Sequence, residues 1–131
     1  MNIAKYFGDK IKAQLPDNPA NAPELLYKSL YLESFHERYI PDRRMPHAYR
    51  VLNGMSDKLM AYGIQQPESY AWTNIFAPVE ILQNFDISCV SMECIASFLS
   101  GYYLEDELID SAEAAGIAST LCSYHKNFIG A

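Results

Sequence analysis

A change of rhythm at Gln66-Pro67 divides this chain. Before it, apolar residues recur every three or four positions and prolines stand where helices begin. In "NAPELLYKSLYLESF", Pro23 suits a first helical turn, where its missing N–H would have no partner, and Leu26 and Leu30 repeat at helical spacing. The two prolines of "YIPDRRMP" then disfavour a continuous helix. In "MPHAYRVLNGMSDKLMAYGI", Pro46 opens a second helix and Ala48, Leu52, Met55 and Leu59 share the face expected to be apolar. Gly54 weakens that helix without ending it, and Gly63 is expected to take a left-handed cap.

After Pro67, short runs of strand length alternate with helix starts. "YAWTNIF" is aromatic and β-branched over a strand length, and it runs into "APVEILQNF", where Pro78 precedes a helical face of Val79, Leu82 and Phe85. "ISCVSM" reads as a second strand, with Ser91 as the expected cap of a helix "ECIASFLS" that ends at Gly101. "YLEDELIDSAEAAG" reads as a further helix. Acidic residues crowd its first turn, Leu104, Leu108, Ala112 and Ala115 share a face, and Gly116 closes it. The expected architecture is α/β: a helical N-terminal arm over residues 1–66, then the start of a parallel β-α domain over residues 67–131. Two strands make an incomplete parallel sheet, which normally needs more. The ending "STLCSYHKNFIGA" stops inside an apolar run, and the chain reads as a truncated one.

With 131 residues, half of them hydrophobic, the chain suffices for one ordinary core. Its formal charge of −6 argues against nucleic acid, which needs a clustered cationic surface. The one dense basic spot, Arg43-Arg44, follows Asp42 and reads as a solvated loop. No apolar stretch has the length of a membrane span, and "MNIAKYFGDKIKAQL" is amphipathic rather than a signal peptide, so a cytoplasmic location without membrane contact is expected. Cys89, Cys94 and Cys122 show neither C-x-x-C nor zinc-finger spacing, and an odd number cannot form a disulfide framework.

Cys122 carries the most chemical interest, because it opens "CSYHKNFIG" at an expected helix N-terminus. There the helix dipole and unpaired N–H groups favour thiolate, the form that ligates iron or attacks an electrophile. A small buried apolar thiol is the plain alternative. His125 and Lys126 lie nearby in sequence, but no third group to orient the histidine is evident, which weakens a Cys-His nucleophile. Cys89 inside a strand reads as core, and Cys94 in a first helical turn is the next candidate ligand after Cys122, with core as the plainer reading. Glu80, just after the first strand, either complements a helix N-terminus or faces a site beyond the strand end. His36 and His47 read as surface residues, and Tyr70, Trp72 and Phe76 as core. No dinucleotide fingerprint, phosphate-binding loop or hydrolase elbow is present.

Taken in order, "WTNIFAPVEILQNFDI", "LIDSAEAAGI" and "STLCSYHKNFIGA" resemble the 2-hydroxyglutaryl-CoA dehydratase D-component family, which includes benzoyl-CoA reductase subunits. The resemblance covers about Tyr70 to Ala131. It implies an incomplete Rossmann-like domain and a lyase component that dehydrates a 2-hydroxyacyl-CoA through a ketyl radical. It also implies a [4Fe-4S] cluster on three cysteines, an acyl-CoA substrate, a related second subunit and an ATP-dependent activator. Cys122 matches the first cluster cysteine, while Glu80 and His125 become candidates for the substrate pocket. Cys89 and Cys94 match no ligand position, so one thiolate of three is expected here, and with it inactivity of the chain alone.

Two other readings compete. One is a protein-binding or assembly module built on the shortened fold, homo-oligomers included, since an incomplete sheet leaves an edge and an apolar face to cover. The other is a small thiol enzyme using Cys122 with His125.

Overall fold

The computed structural model describes residues 2–40 and 42–131. Pro41, one of the two prolines read as a helix break, and Met1 lie outside the described residues. Helix α1 (Ile3–Gln14) is started by Asn2, whose side chain accepts the Lys5 N–H at 3.0 Å. Helices α2 (Ala22–Tyr39) and α3 (His47–Gln65) pack against one another as a hairpin. Strand β1 (Ala71–Thr73), helix α4 (Val79–Gln83) and strand β2 (Cys89–Ser91) form a miniature parallel crossover. The two strands pair in parallel, Ala71 to Cys89, Trp72 to Val90 and Thr73 to Ser91. Helices α5 (Met92–Gly101), α6 (Glu105–Ala114) and α7 (Ser123–Ile129) complete the chain. The fold is therefore mostly helical with a small two-strand parallel sheet, α/β in the loose sense.

One core draws on both sides of Pro67. Ile11, Leu30, Met60, Val90, Leu99 and Leu104 belong to the same buried cluster, which joins α1, α2 and α3 to β2, α5 and the turn before α6. Each fully buried aliphatic side chain contributes about 1.5–3 kcal/mol relative to exposure. At its centre the Tyr102 hydroxyl, at the end of α5, meets the Ser29 hydroxyl of α2 at 2.6 Å, so the polar tip of a buried ring is satisfied.

Helix α7 has only two turns, and side-chain bonds hold it. The Asn127 amide donates to the Ala96 carbonyl at 2.9 Å and to the Ser100 hydroxyl at 3.3 Å, both on α5. The buried Lys126 ammonium donates to Glu113 at 2.6 Å and to the Ser119 carbonyl at 3.1 Å. Phe128 rests on Trp72 of β1 with ring centroids 5.3 Å apart.

Five expectations need correction. Within "YAWTNIF" the strand stops at Thr73, because the Asn74 side chain accepts the Phe76 N–H at 2.9 Å and its carbonyl accepts the Ala77 N–H, closing a turn. Phe76 consequently projects into solvent and is not core. Ser91 does precede α5, but its hydroxyl donates to Glu93 at 2.9 Å instead of capping a backbone N–H. The face of α3 expected to be apolar and packed, with Leu52, Met55 and Leu59, is exposed; Asp57, Met60 and Ala61 turn inward. Gly63 lies inside α3, not at its cap, where the helix approaches β2 so closely that a Cβ would meet Val90 at 2.9 Å. Gly116 does close α6, with φ of 97°.

Candidate functional site

The parallel strands set the site's position. Glu93 stands in the first turn of α5, two residues after β2 ends, and Ile75 stands two residues after β1 ends, so both lie at the carboxyl ends of the sheet. Helix α7 packs on α5 and brings His125 to this place. The His125 Nε2 is 4.0 Å from Glu93 Oε1, a long ion-pair contact when the ring is protonated. Burial pushes the Glu93 carboxyl up, but its own N–H, the Ser91 hydroxyl, the Ile75 N–H and His125 together hold it below the usual range.

Cys122 is the residue immediately before α7 and is exposed. The His125 side chain, and after it the Tyr124 and His125 backbone N–H groups, lower its thiol below the ordinary cysteine value. His125 thus stands between a thiol and a carboxylate. This arrangement shifts an accessible sulfur toward thiolate, the form that can ligate a soft metal or attack an electrophile.

The other candidates lie apart from this group. Glu80 is exposed in the first turn of α4, with no side-chain hydrogen bond or ion pair among the described residues. Cys89 is half-buried in β2 and its Sγ donates to the Ile87 carbonyl at 3.6 Å. Cys94 is exposed on α5, not buried in the core. His36 and His47 are exposed, as expected, and Arg44 pairs with Asp42 at 2.7 Å in a solvated turn. Among the described residues, no three His, Cys, Asp or Glu side chains gather closely enough to hold a metal ion. No helix among them is long and apolar enough to cross a membrane.

Glu93 is the residue that sequence reasoning missed. Its signal was its place: an acidic residue in a first helical turn directly after a strand, the same reason that drew attention to Glu80. What sequence spacing does not give is that a helix thirty residues later returns to the same strand ends. No protein-family model, curated protein or solved structure matches this sequence.

Proposed function

We propose that this chain is an N-terminal portion of a 2-hydroxyacyl-CoA dehydratase component, similar to the 2-hydroxyglutaryl-CoA dehydratase D-component family, in which Cys122 offers one thiolate to iron. The observation that carries the reading is the exposed Cys122 sulfur, held toward thiolate by His125 and by backbone N–H groups. In this reading the two short strands are the beginning of a larger, Rossmann-like parallel sheet, with Glu80 and His125 as candidates for the substrate pocket. Cys122 suits a single ligand position, but the described residues do not fit a complete three-thiolate site. The remaining ligands therefore have to come from elsewhere in the assembly, and no radical step is assigned to this chain's residues.

The test is anaerobic loading with iron and sulfide, with excess small-molecule thiol supplying the missing ligands. A visible iron–sulfur absorption that survives in Cys89→Ala and Cys94→Ala but disappears in Cys122→Ala is expected. Absence of absorption, or absorption unchanged in Cys122→Ala, overturns the ligand role.

A second reading, an assembly module, is favoured by the exposed apolar face of α3, where Leu52 and Met55 are 61% and 65% exposed. Size-exclusion chromatography decides it: a concentration-dependent oligomer broken by Leu52→Glu supports the module, and a strict monomer that captures no related subunit removes it.

A further inference from the structure

Away from the strand ends, a cavity of about 400 Å³ opens between the start of α1, the hairpin and α5. Three carboxylates line it: Glu33 and Glu37, one turn apart on α2, and Asp57 on α3. Asp57 is only 4% exposed, yet it has no hydrogen bond or ion pair among the described residues. One Glu37 carboxylate oxygen, Oε2, is likewise buried without a partner. Among the described residues no lysine or arginine lines the cavity, and the remaining walls are Ile3, Ala4 and Phe98, with Asn2, His36 and Asn53. Buried carboxylates without partners are costly, and the cost is relieved either by protonation or by a cation that enters the cavity.

The chemistry narrows the cation. A divalent metal needs several oxygen ligands converging within about 2–2.6 Å, and these carboxylates do not converge on one point. Acceptors spread along a turn of helix, alternating with apolar walls, suit donors that are themselves separated by methylenes. We propose that this cavity binds an aliphatic diamine, its ammonium groups shared among Asp57, Glu33 and Glu37 and its methylenes laid against Ile3, Ala4 and Phe98. This inference is independent of the role given to Cys122.

The diamine needs Asp57 ionised. The groups facing Asp57 are Glu33, Glu37 and His36 from α2, Tyr102 at the end of α5, and the positive end of α1 at Asn2. Burial first, and then Glu33 and Glu37, push its carboxyl up to about 7. Binding therefore releases a proton near neutral pH and weakens as the pH is lowered.

The test is isothermal titration calorimetry of the whole chain with putrescine at pH 8 and low salt. Saturable one-site binding is expected, tighter than for butylamine, and about tenfold or more weaker in Asp57→Asn. Asp57→Asn keeps the side-chain shape and removes a buried charge; circular dichroism checks its fold, and Glu37→Gln serves as the second variant with a smaller loss. Heats no larger than those of sodium chloride at matched ionic strength overturn the proposal, as does equal affinity in both variants. So does magnesium that competes putrescine away, which would make the cavity a metal site.

Discussion

At Asp57 burial works against ionisation, and the consequence is a pH slope. The unfolded carboxyl titrates near 3.8, whereas the folded one is raised to about 7. Between those values the folded chain keeps a proton that the unfolded chain has lost, so stability falls as pH rises through the window and levels off above it. The full difference is on the order of 4 kcal/mol. Glu33, also raised by burial, adds a slope of the same sign. Urea unfolding at pH 5 and pH 8 should show about 60% of this loss, since the window opens below pH 5, and Asp57→Asn should remove most of it. Cys122 shifts the other way, toward thiolate. Iodoacetamide alkylation of a Cys89→Ser, Cys94→Ser background should give a Cys122 pKa below that of a free cysteine, and His125→Ala should raise it. The position of Cys122 before a helix was legible in the sequence; the part played by Glu93 was not, because it depends on α7 folding back over α5.

Among the elements, α7 shows how a short helix is held. Seven residues are too few to be stable as an isolated helix in water. Its Asn127 supplies a buried bond to the Ala96 carbonyl, and removing the amide leaves that acceptor with only the longer bond from the Ser100 hydroxyl, at 3.2 Å, as a side-chain donor. Asn127→Ala should cost about 1–3 kcal/mol in thermal or urea unfolding, and it should also loosen the placement of Cys122 and His125. Helix α3 gives the opposite contrast within one element. Met60→Ala should cost about 2–5 kcal/mol, because Met60 is 2% exposed, whereas Leu52→Glu and Met55→Glu should stay within about 0.5 kcal/mol in the monomer. Helical periodicity put α3 in place. It did not say which face would turn inward, because the apolar stripe of Leu52, Met55 and Leu59 was the stronger pattern and the buried one contains an aspartate.

For the whole molecule, the single core explains why the helical part and the strand-containing part fold together. Leu30 and Met60 from the hairpin share their buried cluster with Val90 and Leu99. The same packing leaves two polar regions with different characters: a thiol–imidazole–carboxylate line at the strand ends, and an acidic cavity under α1. The apolar residues left outside lie mostly along the hairpin and around α4, including Phe35, Tyr49, Leu52, Met55 and Phe85.

Local chemistry in the sequence determined much of the element order. Proline placement and helical spacing gave the hairpin, the β-branched and aromatic runs gave both short strands, and the acidic first turn with Gly116 gave α6. These are properties of neighbouring residues, so a linear reading contains them. Tertiary structure alone decided that α3 presents Asp57 rather than Leu52 to the interior, and that Glu93 meets His125. Each depends on groups far apart in the chain, and is settled only when the elements pack and each buried polar group finds a partner or goes without one.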